Sequence, residues 1–395
     1  MAEEKTADVQ RLVDFYKSAN HSQSDKAAAT YADEVYLPQE GGTVDDEWCA
    51  NVVFDAADWE NCLSKTYSGS IYDELFKGVY RYPGDANGAL RRPGDIYERG
   101  FEKFAAQVAG GYEADGSDLY NREWYVYVPD SVDTSKPAPL VFVFHGAGGS
   151  GNEIADRSGW AKVAEENGLI LVCPTGSHTL SVRRVSNLVT SELFRAVWNY
   201  GDATAEQPSD IKFVEYLYNW MCENYNIDTS RVYASGQSAG GGMTYTCAAY
   251  LPDLFAAAAP VSALVDVPSN APDSQIPILS FIGEADNSNK GAFGAEKAQK
   301  LVDYWCARND TVEHWDDYTY MDGGQNCSSQ EDLFTNYMFY NADGVPMLRC
   351  VEVATKTHAI WPSECFEAWN EWFTHFTKDP DTGTLYYDGA AVNAN

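Results

Sequence analysis

A serine in a tight, glycine-flanked segment is the residue of this 395-residue chain best suited to nucleophilic chemistry. Ser238 stands at the centre of the segment 236–240, which has the pattern G-x-S-x-G. A short β-prone segment, 230–235, precedes it, and a run of small and apolar residues, 241–250, follows it. A strand, a sharp turn and a helix form the context in which this pattern exposes a reactive hydroxyl. We therefore predict that Ser238 is a nucleophile.

Such a serine needs a base to take its proton and an acid to orient the base. In this context the acid is expected after the serine in the chain, in the loop that follows a strand. Asp286 follows the apolar segment 277–282 in this way. We predict Asp286 as the acid, with Glu284 as the competing carboxylate.

The base is expected last in the chain, again after a strand. His358 follows the strand-like segment 348–354 and precedes a helical segment, 364–374. The other histidines beyond the serine are His314, in an acidic stretch, and His375, at the end of the final helix. We predict His358 as the base.

The tetrahedral intermediate of acyl transfer also needs two N–H donors. Ala239, the residue after the nucleophile, is expected to supply one of them. The other is expected from the glycine-rich segment 145–151, which follows the apolar segment 139–144 and resembles an H-G-G-G-type loop. We expect His145 to brace this loop rather than transfer protons. A phosphate cradle is disfavoured because the pattern G-x-x-x-x-G-K-[ST] is absent.

The elements that must position these residues alternate between strands and helices. Apolar runs predict buried strands at 139–144, 169–173 and 277–282, and a last strand is predicted at 348–354. Helical patterns lie at 154–167, 211–225, 295–306 and 364–374, and an alternating run at 122–129 is typical of an edge hairpin. Together they predict an α/β fold with a mostly parallel central sheet and helices on both faces.

The chain is long for one domain. Residues 1–97 carry no chemical motif, so we interpret them as an N-terminal extension of unknown role. Residues 98–378 contain every candidate site and are predicted to form the catalytic domain, and residues 379–395 form a C-terminal tail.

Charge limits the partners of this chain. Its net charge is −32, from 27 basic and 59 acidic residues, so nucleic acid and anionic membrane surfaces should repel it. No segment approaches the ~18 apolar residues of a membrane helix. The N-terminus lacks a basic-plus-apolar secretion signal. Acidity, aromatic richness and the cysteines still favour a secreted mature chain over a cytoplasmic one.

The nine cysteines include no C-x-x-C pair, which disfavours zinc-ribbon and thioredoxin-type chemistry. An odd count leaves at least one thiol outside any bridge. Candidate local bridges are Cys49–Cys62 and Cys327–Cys350.

Four stretches together resemble the polyhydroxybutyrate depolymerase and feruloyl esterase group of α/β-hydrolases, which includes enzymes like those of carbohydrate esterase family 1. That group pairs an H-G-x-G-G loop, here 145–149, with R-V-Y-x-x-G-x-S-A-G-G-x-M, here Arg231–Met243. It ends with an H-x-W-P-like segment, here 358–362 with one extra residue. The segment that leads to the elbow, 198–228, is also similar. The resemblance covers roughly residues 98–376.

The resemblance implies an α/β-hydrolase fold and a serine esterase mechanism. In it Ser238 attacks an ester carbonyl, His358 takes and returns the proton, and Asp286 holds the imidazole. The N–H groups of Ala147 and Ala239 hold the oxyanion, an acyl-enzyme forms, and neither metal nor cofactor is needed. The implied substrates are plant-wall esters, feruloyl or acetyl groups on polysaccharide, with polyesters as the alternative.

The match departs from the group at Thr357, where the group has glycine, and at 309–347, which resembles an insertion. We predict that Gln237 and Trp361 contact the substrate, with Trp361 stacking on the acyl or sugar group. The alternative for Trp361 is that it packs the loop carrying His358. A serine peptidase is a weaker functional rival. A non-catalytic carbohydrate-binding protein on a hydrolase scaffold is the rival of another class, and it would be expected to lack a triad member.

Overall fold

The computed structural model describes only part of the chain. The described residues are 43–44, 52–53, 100–147, 149–151, 154–155, 158–186, 189–204, 207–265, 271–272, 274–284, 286, 289, 293, 296–313, 329–331, 334–353, 356 and 358–392. The predicted N-terminal extension is therefore represented by two short strands alone, and Cys49, Cys62 and Cys327 lie outside the described residues.

The described strands are numbered here in chain order. They are β1 Thr43–Val44, β2 Val52–Val53, β3 Phe101–Ala109, β4 Leu119–Tyr127, β5 Ala138–Phe144, β6 Ile170–Pro174, β7 Ser177–Ser186, β8 Val189–Val197, β9 Ile227–Gln237, β10 Ala257–Val261, β11 Ile278–Gly283, β12 Ser329–Glu331, β13 Phe334–Tyr340, β14 Pro346–Val353, β15 Phe376–Lys378, β16 Leu385–Tyr387 and β17 Ala390–Ala391. The α-helices are α1 Trp160–Asn167, α2 Asp210–Asn224, α3 Ala239–Tyr250, α4 Glu296–Arg308 and α5 Pro362–Asn370, and a 3-10 turn covers Phe373–His375.

The chain divides into two compact units. The first comprises Met1–Tyr127, His145–Arg157 and Cys173–Tyr216, and the second comprises Val128–Phe144, Ser158–Val172 and Leu217–Asn395.

The second unit contains a mostly parallel sheet. Its strands lie in the order β6-β5-β9-β10-β11-β14-β13-β12. Pairing is parallel from β6 to β14, and β13 and β12 add an antiparallel edge. Every residue of β5, β10, β11 and β14 is buried, which explains why β5, β10 and β11 are mostly apolar, whereas β14 also buries Arg349 and Glu352.

Helices pack on this sheet. Helix α3, buried from Gly240 to Ala249, contacts β5, β9 and β10. From β9 the ring of Tyr233 stacks on Phe373 at 4.5 Å and meets Trp369 of α5 edge-on at 6.0 Å. The predicted α/β fold with a mostly parallel central sheet is confirmed.

One helix is shorter than the sequence predicts. The pattern predicts a helix over 154–167, but α1 begins only at Trp160. The residue before it, Gly159, has φ 77°, a left-handed conformation that interrupts a right-handed helix. A Cβ on Gly159 would lie 2.8 Å from Pro362 at the start of α5, so close packing also requires glycine there.

The described part of the first unit contains the antiparallel pairs β1–β2, β3–β4 and β7–β8. Hairpin β3–β4 confirms the predicted one, whereas β7–β8 was not predicted. Buried Arg122 of β4 donates to Ser177 Oγ at 2.6 Å and pairs with Asp210 at 2.8 Å. It thereby joins the start of β7 to the start of α2.

The remaining segments add smaller structures. Strands β12 and β13 lie within 309–347, the segment interpreted as an insertion. Strands β15, β16 and β17 form a small antiparallel sheet that includes part of the predicted C-terminal tail. Cys350 is a free, buried thiol in this structure, and Cys327, its candidate bridge partner, lies outside the described residues. None of the helices in the described ranges is both long and apolar enough to span a membrane.

Candidate active site

Ser238 lies in the sharp turn between β9 and α3. Its backbone has φ 59° and ψ −118°, a strained conformation for a residue with a side chain. Its N–H donates to Val261 O of the neighbouring strand β10 at 2.9 Å. A Cβ on Gly236 would lie 2.6 Å from the carbonyl oxygen of Gly240, and one on Gly241 would lie 2.7 Å from Ala263 Cβ. Gly236 of the motif and Gly241 just after it are therefore required by close packing around the turn.

The structure brings the three predicted reactive side chains together. His358 Nε2 lies 2.7 Å from Ser238 Oγ, and His358 Nδ1 lies 2.9 Å from Asp286 Oδ2 and 3.1 Å from Asp286 Oδ1. An ionised carboxylate can only accept, so Nδ1 carries the hydrogen and donates to Asp286. Nε2 is then left to accept the hydroxyl hydrogen of Ser238.

The sheet topology explains this convergence. Ser238, Asp286 and His358 follow β9, β11 and β14, whose carboxyl ends lie at one edge of the parallel sheet. Gly283 and Val353, the last residues of β11 and β14, are paired in register. Loops that leave such an edge can place distant residues within hydrogen-bonding distance.

Asp286 is held by a partner that the sequence did not reveal. Its side chain is fully buried, and Asn289 donates to it twice, from Nδ2 to Oδ2 at 2.8 Å and from its backbone N to Oδ1 at 3.2 Å. Asn289 comes three residues later in the same loop, and that short spacing was the available signal. The competing carboxylate, Glu284, is exposed.

The loop that carries His358, between β14 and α5, is called the histidine loop below and is anchored at several points. Ser262 Oγ donates to Ala359 O at 2.8 Å, and Gln237 Nε2 makes a long contact of 3.5 Å with His358 O. Gln237 is only 2% exposed, so the structure places this predicted substrate contact against the histidine loop.

Trp361, also predicted to contact substrate, is 6% exposed and precedes helix α5. Its backbone N–H donates to Glu364 Oε2 at 2.7 Å. The other oxygen of Glu364 pairs with Lys356, and both side chains are fully buried. Burial raises the pKa of Glu364, and the Lys356 ammonium opposes that rise. Lys356 and Glu364 were not predicted, because isolated charged residues carry no periodic signal.

The predicted oxyanion donors lie in different units. Ala239 is the first residue of α3, where helix N–H groups and the positive end of the helix dipole favour an anion. Ala147 lies in the first unit, within a turn in which Gly149 N donates to Gly146 O at 3.0 Å.

His145 opens the same glycine-rich loop and is buried. Its Nδ1 contacts Gly146 O at 2.6 Å, and its Nε2 accepts from Gly176 N at 2.9 Å. Its carbonyl accepts from Trp198 Nε1 at 2.8 Å, and the two rings lie 4.7 Å apart. These contacts match the predicted bracing role of His145. In the part of the chain that the structure describes, no group of three or more His, Cys, Asp or Glu side chains is arranged to hold a metal ion.

Several known proteins are similar to parts of this chain. Residues 198–304 match the model of the prolyl oligopeptidase family. The chain is 31% identical over 144 residues to feruloyl esterase B of Thermothelomyces thermophilus, covering 36% of this chain and 45% of the relative. It is 24% identical over 259 residues to poly(3-hydroxyalkanoate) depolymerase C of Paucimonas lemoignei, covering 62% and 59%. It is 30% identical over 143 residues to a probable acetylxylan esterase A of Aspergillus fumigatus, covering 36% and 35%.

The parallel sheet and the serine turn between β9 and α3 are those of the α/β-hydrolase fold. Its curated relatives include a feruloyl esterase, a poly(3-hydroxyalkanoate) depolymerase and a probable acetylxylan esterase, which confirms the resemblance to that group. The matched stretches span less than two thirds of the length of each of these relatives.

Proposed function

We propose that this chain is a serine carboxylesterase that hydrolyses acyl esters of plant cell-wall polysaccharides, feruloyl or acetyl. Ser238 is the nucleophile, His358 the general base and Asp286 the orienting acid. The observation that carries this proposal is the continuous hydrogen-bond path from Ser238 Oγ through both ring nitrogens of His358 to Asp286. The feruloyl and acetylxylan esterase relatives support the substrate class.

The proposed reaction begins with attack of Ser238 Oγ on the ester carbonyl carbon, while His358 Nε2 takes the hydroxyl proton. Asp286 accepts the Nδ1–H hydrogen bond and stabilises the imidazolium that forms. The same imidazolium then protonates the leaving sugar oxygen as the C–O bond breaks, which leaves an acyl-enzyme. Water, deprotonated by His358, attacks the acyl-enzyme, and Ser238 regains its proton as the carboxylic acid departs.

The developing oxyanion needs N–H donors already in place. The backbone N–H of Ala239 at the start of α3 is the proposed donor in the second unit. The N–H of Ala147 stays a prediction from the sequence. No step of the proposed reaction requires a metal or a cofactor.

A polyester depolymerase is the second candidate. The observation that favours it is the match to the poly(3-hydroxyalkanoate) depolymerase, which extends over 259 residues. The same three side chains would perform that ester hydrolysis, so only substrate preference separates the two candidates.

The net charge of −32 supports a neutral or aromatic substrate, because anionic polymers such as pectate or nucleic acid would be repelled. We propose an acylated plant polysaccharide or oligosaccharide as the partner. An enzyme that acts on such a polymer would work outside the cell, so the proposed location is secreted.

Labelling with a fluorophosphonate, followed by peptide mapping, tests the proposal. We expect one labelled peptide that contains Ser238 and no labelling of Ser238→Ala. Ser235→Ala is the matched control, because Ser235 lies in the same strand and its hydroxyl only donates to Ala259 O at 3.0 Å. Its labelling should equal that of wild type. A folded wild-type protein without label would favour the non-catalytic carbohydrate-binding protein. Faster cleavage of peptide amides than of esters would favour a serine peptidase.

A further inference from the structure

A buried ion pair flanks the proposed base. Lys356 precedes His358 by two residues and Glu364 follows it in the first turn of α5. Lys356 Nζ bonds Glu364 Oε1, and both side chains are 0% exposed. A buried ion pair is often no more stabilising than apolar residues of the same volume, so its presence calls for another explanation.

The pair closes the histidine loop at both ends. The backbone N–H of Lys356 donates to Val353 O, the last residue of β14, at 3.3 Å. At the other end, Glu364 Oε2 accepts the N–H of Trp361 at 2.7 Å. The two oxygens of one carboxylate thus tie the start of the loop to its end, and His358 lies between them.

Two hydrogen bonds from outside the loop act on the same stretch. Ser262, after β10, donates to Ala359 O, and Gln237, before the nucleophile, contacts His358 O. These contacts hold backbone carbonyls of the loop, whereas the imidazole of His358 bonds to Ser238 and Asp286. The ion pair anchors the ends of the loop, and these donors anchor its centre.

Among the described residues, charged side chains on three elements lie near His358 in the chain or in the fold. Asp286 and the exposed Glu284 follow β11, Lys356 follows β14, and Glu364 belongs to α5. Asp286 is close enough to Glu364 to raise the pKa of that carboxyl. Because Lys356 and Glu364 carry opposite charges in contact, together they add no net charge beside Asp286 and His358.

We propose that Lys356 and Glu364 are positioning residues, a buried pair that holds the loop of His358 in register with Ser238 and Asp286 while contributing no net charge to them. This inference rests on the proposed function. Neither side chain touches the reacting atoms, so the pair acts through the placement of the imidazole. A displacement of about 1 Å at such a site can cost on the order of a hundredfold in rate.

The test is the double variant Lys356→Met/Glu364→Gln, which removes both charges and keeps an acceptor for the N–H of Trp361. We expect kcat on p-nitrophenyl acetate to fall about ten- to a hundredfold per folded molecule, with KM within about threefold of wild type. The pH at which the acid limb of kcat/KM is half-maximal should stay within ~0.3 pH unit, since the removed charges cancel. Each single variant leaves an unpaired buried charge and should be less stable than the double variant.

Glu367→Gln is the matched control. Glu367 lies on the same helix, next to Glu364 by one turn, and pairs with Arg349 instead of Lys356. The Glu367→Gln substitution should lower the free energy of unfolding at most slightly and leave kcat unchanged.

Wild-type kcat in a folded double variant would overturn the proposal, because the pair would then serve stability alone. A shift of the acid limb with wild-type kcat would also overturn it and assign the pair an electrostatic role. If the double variant does not fold, Glu364→Asp keeps both charges but shortens the carboxylate by one methylene, which loosens its hold on Lys356 and on the N–H of Trp361. It carries the same expectation for kcat, and wild-type kcat in it has the same meaning. Failure of the wild-type protein to label at Ser238 would instead contradict the proposed function.

Discussion

His145 and His358 each follow a parallel strand, β5 and β14, but the partners of their ring nitrogens differ. In the first unit both nitrogens of His145 meet backbone groups, Gly146 O and Gly176 N. In the second unit the nitrogens of His358 meet a carboxylate and a hydroxyl. The side chain of His358 is 16% exposed, whereas His145 as a whole is 1% exposed.

The difference shows how the partners of an imidazole decide its chemistry. Gly176 N–H donates to Nε2 of His145, so this ring is neutral with its hydrogen on Nδ1, where it donates to Gly146 O. A second proton on that ring, at Nε2, would face the N–H of Gly176, and the two N–H groups would repel each other. In contrast, the hydroxyl beside His358 can give up a proton, and the carboxylate stabilises the resulting cation.

Two buried lysines of the second unit likewise differ in the partners of their ammonium groups. Lys356 is paired with the carboxylate of Glu364, whereas Lys378 donates to the carbonyls of Pro252 at 2.7 Å and Gln275 at 3.3 Å. Carbonyl partners compensate less for lost hydration, and burial lowers the pKa of Lys378 to about 8.

The largest expected effect separates the two histidines. His358→Ala should lower kcat on p-nitrophenyl acetate by about 10⁴-fold or more without unfolding the protein, since it removes the base. His145→Ala should instead lower the free energy of unfolding by about 1–3 kcal/mol, because it leaves buried backbone groups without partners. Turnover assays measure kcat and urea unfolding measures the free energy of unfolding for both variants. An equal loss of kcat in His145→Ala with unchanged unfolding would end the distinction.

The second prediction separates the two carboxylates after β11. Asp286→Asn should lower kcat by at least ~10³-fold, because an amide can present its NH2 group to Nδ1 and favour the wrong tautomer. Glu284→Gln should change kcat by less than about tenfold, since Glu284 is exposed. Turnover of the two variants under identical conditions measures the ranking, and the reverse ranking would reassign the acid.

The third prediction concerns Trp361 and the substrate. If its ring stacks on an aromatic acyl group, Trp361→Ala should lower kcat/KM for methyl ferulate about five- to tenfold more than for p-nitrophenyl acetate. Trp369→Ala is the control, because Trp369 is a buried residue of the same helix that packs on Tyr233. Equal losses on both esters would mean that Trp361 only packs the histidine loop.

The same assays on wild type compare the two candidate functions. If a 3-hydroxybutyrate oligomer gives the highest kcat/KM in wild type, the polyester candidate replaces the plant-wall one.

The smallest expected effect concerns the buried lysine Lys378. The pKa of Lys378 is about 8 in the folded protein and 10.5 ordinarily, so between these values the unfolded chain binds the extra proton. Stability from this group must therefore rise with pH across that window. We expect wild type to gain about 1 kcal/mol or more relative to Lys378→Met between pH 8 and 10, measured by urea unfolding at each pH. A constant difference would show that Lys378 does not titrate there.

Much of the fold was predictable because strands buried on both faces must be apolar along their length. That rule located β5, β6 and β11, and the chain order of serine, acid and histidine followed from the loops after the strands. The strands β12 and β13 and the hairpin β7–β8 were missed, since their sequences mix polar and apolar residues and carry no such run. Helix α1 was overextended because the sequence does not show that Gly159 adopts a left-handed conformation.

The sequence by itself determined which side chains could react: a serine between glycines, and an aspartate and a histidine that each follow a strand. Only the tertiary structure decided what holds them. Asn289 bonds Asp286 within one loop, Ser262 bonds the histidine loop from the end of β10, and Lys356 pairs with Glu364 of α5. Such polar contacts follow no period along the chain, because they depend on the path of each loop and on which loops the parallel strands bring to the same edge of the sheet.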